Sequence, residues 1–290
     1  MRSSYMSFTL YSGFILYNSR MRTTTRNTMA ALADAGLDFF AVQDLETHLG
    51  LRPEQARNLA QRLQQQNLAR RLQQNLYALV GPADWANRDV LPTNWYRTGA
   101  ALAGTADYYL AYYTAMELHR MTQQPLRTVF MALTRQKPKI VAANVTFRFV
   151  RIKKERFFGF EEAEVEQGHR VNVADLERTF FDCVDRPELC GGLEEIARAF
   201  ARRHRDLNVD RLLRYLVKLD QPFVTKRLGF LLELAGHGDI ELMREMETLA
   251  ARVKKYIPLN KRGPHDGPRD RRWKLIINAD VHKLLNTLRT

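Results

Sequence analysis

The sequence is poor in the residues that staple small folds or hold metals. It has two cysteines in 290 residues, Cys183 and Cys190, and their spacing fits neither a zinc knuckle nor a thioredoxin-like pair. Buried, reduced thiols are expected, in keeping with a cytoplasmic protein. Long apolar runs are missing too. None reaches the roughly 18 residues that span a bilayer, which argues against a membrane partner. Tyr5 to Tyr17 is moderately apolar and follows Arg2. Ser, Thr and Asn interrupt it and it lacks a small-residue cleavage site, so it does not read as a secretory signal. Met21 directly precedes the first clear helical pattern, which leaves the start codon open.

Acid is scarce relative to base. Lys plus Arg number 45 against 32 Asp plus Glu, a formal charge of +13. Such an excess costs self-repulsion and commonly serves to meet phosphate or an acidic surface. Lysine is absent from Met1 to Pro82, so the basicity there is arginine alone. Arginine presents a fork of donors to phosphates and base edges, where lysine is a point charge. A catalytic constellation is lacking as well. His48, His119, His169, His204, His237, His265 and His282 are scattered without metal-ligand spacing. Gly236-His237-Gly238 follows no strand and lacks a phosphate-loop lysine, so it reads as a turn between helices. Glu117 and His119 splay apart on a helix and read as structural or partner-facing. Asp182, Asp185 and Glu188 read as the end of a helix, with Arg186 as counter-ion and Gly191-Gly192 as the stop. Neither metal nor cofactor nor enzymatic activity is expected.

What is present is ordinary globular composition, 45% hydrophobic and 27% charged, in a chain long enough for two packed domains. Residues 1–22 read as an extension and 23–82 as a first domain. A polar connection follows over 83–92, and a larger domain over 93–290. In the first domain, Met29, Leu32 and Ala33 recur at helical spacing before the stop at Gly36. Phe39 and Phe40 lead into a second helix, Val42 to Leu49. Gly50 and Pro53 suit a tight turn and the first turn of a third helix, Pro53 to Gln66. Ala56, Leu59, Ala60 and Leu63 form its inward stripe. At ~100° per residue, Glu54, Asn58, Gln61 and Gln65 point outward, flanked by Arg57 and Arg62. Amides pair with adenine and arginine with guanine in the major groove. Two strand-like runs, Leu68 to Leu72 and Leu76 to Val80, flank Gln73-Gln74-Asn75 as a hairpin, and Arg70 and Arg71 would reach a phosphate or the minor groove. Three helices and a basic hairpin predict a winged helix-turn-helix. Its expected DNA-binding residues are Arg52, Glu54, Gln55, Arg57, Asn58, Gln61, Arg62, Arg70 and Arg71.

The larger domain mixes periods. Tyr108 to Leu110, Thr128 to Thr134 and Asn144 to Arg151 read as strands, and Glu162 to Gln167 and Arg170 to Val173 as a hairpin around Gly168. Helices then dominate: Ala174 to Cys183, Leu193 to Arg203, Val209 to Leu219, Phe223 to Leu234 and Ile240 to Val253. Trp273 to Ile277 returns as a strand. The predicted class is α+β, with a mixed sheet and a helical second half. Two basic clusters, represented by Lys137, Lys139, Arg148, Lys153, Lys154, Arg271 and Arg272, suggest an anionic partner: flanking DNA, RNA or a nucleotide.

The order Phe147-Arg148-Phe149-Val150-Arg151, Arg156-Phe157-Phe158-Gly159, Ala174-Asp175-Leu176-Glu177-Arg178-Thr179 and Asp182-Cys183-Val184-Asp185-Arg186-Pro187-Glu188-Leu189-Cys190-Gly191-Gly192 resembles the AbiEi-type antitoxin domain. Tyr256-Ile257-Pro258-Leu259 and Trp273-Lys274-Leu275-Ile276-Ile277-Asn278 look like its closing segment. With the winged helix in front, the resemblance covers nearly the whole chain after Met21. It implies a repressor of its own operon whose second domain counteracts a nucleotidyltransferase-like toxin encoded beside it, with or without direct contact. It supplies no catalytic residues. The expected DNA target is an operator with an inverted repeat, because one recognition helix rarely supplies enough affinity. No dimerisation heptad is visible, so pairing is expected on DNA. The alternative is a winged-helix transcription factor whose second domain senses a ligand or partner unrelated to a toxin.

Overall fold

A computed structural model of the chain describes residues 23–81, 94–124, 127–280 and 284. The expected extension at 1–22 and the connection at 83–92 lie outside them. The fold is α+β, and the chain divides into two compact units, 1–104 with 140–146, and 105–139 with 147–290.

In the first unit, helix α1 (Thr23–Asp34) precedes strand β1 (Phe39–Phe40), helices α2 (Val42–Leu49) and α3 (Pro53–Gln65), the hairpin β2 (Ala69–Gln73) and β3 (Leu76–Leu79), and helix α4 (Trp95–Ala103). Gly50 ends α2 in the left-handed region, with φ 62°, and Pro53 opens α3, as the turn chemistry requires. Phe39 and Phe40 lead into α2 as the sequence predicts. They form a strand antiparallel to β3, with Phe39 opposite Ala78 and Phe40 opposite Tyr77, giving the sheet order β1-β3-β2. Phe40 stacks on Tyr77 with ring centroids 5.3 Å apart, a cross-strand pair that stabilises so short a strand. Leu32, Leu45, Leu59, Leu63 and Leu68 close the core around Phe40, each full burial contributing about 1.5–3 kcal/mol before entropy is counted. Helix α4 is tied to this unit by the Arg97–Asp38 ion pair and by the Arg97 guanidinium 5.9 Å from the Phe39 ring centre.

A second sheet has six strands: β4 (Tyr108–Leu110), β5 (Thr128–Leu133), β6 (Ile140–Ala142), β7 (Val145–Arg151), β8 (Phe160–Glu166) and β9 (His169–Ala174). Their order is β6-β7-β5-β4-β9-β8. It is mixed, with β4 parallel to β9 and antiparallel to β5. Helix α5 (Tyr113–Leu118) lies between β4 and β5, and α6 (Leu176–Asp185), α7 (Leu193–Arg203), α8 (Val209–Leu219), α9 (Pro222–Leu234) and α10 (Ile240–Ala251) make up the helical second half. Helix α6 packs against α5, α7, α8 and α9, so Glu177 through Val184 are all buried. A helix enclosed on every side must satisfy its polar residues internally.

A small sheet, β10 (Ile257–Pro258), β11 (Arg269–Asp270) and β12 (Leu275–Ile276), has the order β10-β12-β11. Trp273 beside it is fully buried and donates its indole N–H to Glu233 at 2.6 Å. Its ring lies so close to α9 that a Cβ on Gly229 would sit 2.2 Å from a ring carbon. Only glycine admits that approach.

Candidate nucleic-acid interface

The outward face of α3 is solvent-exposed. Arg52, Glu54, Gln55, Arg57, Asn58, Gln61 and Arg62 are all exposed, while Ala56, Leu59, Ala60 and Leu63 are buried. A 3.6-residue period carried by small and aliphatic residues on one side leaves the amides and guanidiniums no inward option. Gln55 Oε1 accepts the Arg52 N–H at 3.1 Å, which satisfies one orphan donor at the helix start.

The face continues into a concave surface. A cleft of about 620 Å³ is bounded by Val42, Gln43 and Glu46 of α2, Arg57, Gln61 and Gln64 of α3, and Arg71, Gln74, Asn75 and Tyr77 of the hairpin. Three expected residues, Arg57, Gln61 and Arg71, therefore converge on one space. Arg71 is exposed and lines this cleft, and half-buried Arg70 lines a neighbouring one together with Arg71, Gln61 and Gln64.

Gln43, Gln64, Gln74 and Asn75 also line the cleft and were not among the expected contacts. Gln64 sits three residues after Gln61 on α3, a spacing that could have revealed it. Asn75 has no such local signal. Its backbone is left-handed, with φ 59°, and its Oδ1 accepts the Val42 N–H at 3.0 Å. Ala41, in the capping position of α2, offers no side-chain acceptor. The hairpin tip thus caps α2 from a distance and fixes one wall of the cleft, while Asp44 Oδ2 accepts the Ala41 N–H at 2.6 Å.

In the second unit, the segments that carry the resemblance interlock. Asp175 caps α6, its Oδ1 accepting the Arg178 N–H at 2.8 Å, and its Oδ2 accepts the Tyr215 hydroxyl at 2.6 Å. Arg178, 1% exposed, donates to Asp182 at 2.9 Å and to the carbonyls of Arg156 and Phe158 at 2.8 and 3.0 Å. Gly159, with φ 76°, leaves room for the Arg178 stem, since a Cβ there would lie 3.0 Å from it. Burial pushes the Asp182 carboxyl up despite Arg178, and its second oxygen has no hydrogen-bond partner among the described residues. Asp182 and Asp185 lie in the last turn of α6, the helix end expected for them. Asp182 pairs with Arg178, Asp185 with Arg156 and Lys261, and Glu188 with Arg186. Arg186 is thus counter-ion to Glu188, and Gly191-Gly192 leads into α7 rather than stopping α6, which ends at Asp185. The reason is spatial: the loop at Arg156 and the segment at Lys261 approach α6 from elsewhere in the chain. His119 is bound at 2.7 Å to the Ala174 carbonyl, a structural contact. Cys183 and Cys190 are buried free thiols, and burial pushes the Cys190 thiol up. Among the described residues, no three His, Cys, Asp or Glu side chains gather as a metal site, and no helix is long and apolar enough to cross a membrane.

The crystal structure of the RV2827C protein from Mycobacterium tuberculosis is similar to this chain, with a TM-score of 0.66 at 16% identity, covering 93% of this chain and 96% of that one. The likeness is one of fold. No protein-family model matches the chain, and no curated protein matches it.

The expected anionic-partner residues fall in two regions. Lys139, Arg148, Lys153 and Lys154 are exposed around β5 to β7, and Lys137 is half-buried with its ammonium 5.3 Å from the Phe149 ring centre. Arg271 is exposed beside the small sheet. Arg272 is corrected: it pairs with Glu233 at 2.7 Å and also with Glu247. Two carboxylates already neutralise it, which removes it from the surface offered to an anion.

Proposed function

We propose that this chain is a sequence-specific DNA-binding autorepressor and antitoxin, whose first unit is a winged helix-turn-helix with α3 as recognition helix. The observation that carries the DNA reading is the exposed amide and guanidinium face of α3 opening onto a cleft walled by the hairpin. The element order and the β1-β3-β2 sheet favour the same assignment, because the hairpin follows the third helix where a wing would lie. In this reading Asn58 and Gln61 read base edges, Arg57 makes mixed contacts, and Arg71 positions the backbone. A copy on each half of an inverted repeat completes the site.

The antitoxin half rests on the resemblance of the second unit to AbiEi-type domains. Its quoted motifs build a buried scaffold around Arg178, which suits a domain that acts by binding. A second reading, a winged-helix factor whose second unit senses a ligand, is favoured by a cleft in that unit lined by Lys226, Lys254 and Lys274.

Mobility shifts of the full chain on DNA from its own promoter test the DNA reading. Asn58→Ala or Gln61→Ala is expected to cost about 1–3 kcal/mol at the preferred site and nothing on unrelated DNA. Arg71→Ala is expected to weaken all sequences and to lower the salt slope by about one counterion. Unchanged shifts in all three variants would end the assignment of α3. Co-expression with an adjacent nucleotidyltransferase-like protein tests the antitoxin half: the full chain should restore growth, and failure of a well-expressed chain counts against it.

A further inference from the structure

A cleft of about 590 Å³ lies between α9, α10 and the segment entering β12, lined by Lys226, Lys254, Lys274, Arg272, Glu247 and Trp273 among others. Its charges do not balance. Glu247 and the neighbouring Glu233 are both engaged by Arg272, and Glu233 also accepts the Trp273 indole N–H. Lys226, Lys254 and Lys274 have no ion pair among the described residues.

Lys226 is the informative one. Its side chain is 1% exposed, and its ammonium donates to the Lys255 carbonyl at 2.8 Å. An ammonium carries three donors, and one carbonyl supplies no countercharge. The next residue repeats the situation, since buried Arg227 is held by the carbonyls of Pro258, Leu259 and Phe223. Burial, with Lys274, Arg227 and Lys255 close by, pushes the Lys226 amine down. Burial likewise lowers Arg227 to about 10. Enclosing cations without counter-ions is costly, and an anion in the adjoining cleft would offset that cost.

We propose that this cleft binds the phosphate group of a small phosphorylated ligand, with Lys226 as its buried anchor and Lys254 and Lys274 as its more exposed cations. Ammoniums are point charges without the planar fork that matches a carboxylate. Several of them suit a tetrahedral dianion that accepts through different oxygens. The volume falls in the range of about 300–1,000 Å³ typical of small-molecule sites, and Lys226 lines it from α9.

The test uses the full chain, with inorganic phosphate and pyrophosphate as probes and sodium chloride at matched ionic strength as control. Thermal unfolding and titration calorimetry should show a saturable, single-site response to the phosphates alone. The surface double variant Lys254→Ala/Lys274→Ala should weaken that affinity at least tenfold. Lys226→Met should abolish it while leaving the unliganded melting temperature unchanged or higher. An equal shift with chloride, or wild-type affinity in the double variant, overturns the proposal. Binding seen only with an oligonucleotide overturns it too, by assigning the cleft to a polymer. Should Lys226→Met fail to fold, the double variant decides alone.

Discussion

Replacing Asn75 separates two jobs that one side chain performs. Its Oδ1 caps the first N–H of α2, and its backbone holds φ 59°. Asn75→Ala loses both advantages: a helix cap worth typically ~1 kcal/mol, and the tolerance for the left-handed region that alanine lacks, of order another 1 kcal/mol. A loss of about 2 kcal/mol corresponds to roughly a 30-fold rise in local opening. Asn75→Gly restores the backbone freedom and forfeits only the cap, about 1 kcal/mol. Asn75→Asp keeps an acceptor and adds a negative charge at a helix N-terminus, which contributes about 0.3–1 kcal/mol favourably, so it should equal or exceed the parent. The readout is native-state hydrogen exchange at Val42 and its neighbours. Protection should fall in the order Asp, Gly, Ala, with the hairpin loosening in step. If Val42 exchanged equally slowly in the alanine variant and the parent, the distant cap would contribute nothing and the reasoning would be refuted. In the proposed function, the alanine variant should also bind every DNA sequence more weakly, since it frees one wall of the cleft.

Gly229→Ala should destabilise the second unit although alanine is the better helix former by about 1 kcal/mol. With a Cβ 2.2 Å from the Trp273 ring, overpacking of about 1–3 kcal/mol or more outweighs that gain, and Trp273 fluorescence should report its displacement; an unshifted melt and spectrum would count against this packing. Near pH 6.5 the stability of the protein should carry a contribution from His204, whose imidazole is held below its ordinary value of 6.5 by burial, then by His237 and Arg205, against Asp206. The unfolded chain takes up a proton near that value which the native state refuses, so stability should be full above it and decline as pH falls below about 6.5. His204→Gln should flatten that part of the curve, and an identical pH profile in the variant would remove His204 as its source. Both cysteines should resist alkylation in the native state and react on unfolding, because buried thiols seldom ionise; rapid native labelling would contradict their burial.

Periodicity located what is local. The bounds of α7 and α8, the inward stripe of α3 and the outward row of Asn58, Gln61 and Arg62 follow from each helix's own pattern, since a 3.6-residue repeat shows which face turns inward before any neighbour is known. The Gly50 turn and the Pro53 start were equally legible, because φ preferences belong to single residues. What only the tertiary structure decided depends on partners far along the chain. Phe39-Phe40 is too short to declare itself a strand, and its pairing with β3 waits on residues nearly forty positions away. Whether a charged residue is available or spent is likewise a property of its surroundings: Arg271 and Arg272 are adjacent in sequence, yet Glu233 and Glu247 from two helices neutralise only the second. Asn75 became a helix cap, and Lys226 a buried cation, through the same cause. Local sequence sets the direction in which a side chain leaves its own element, and folding alone determines what stands there to meet it.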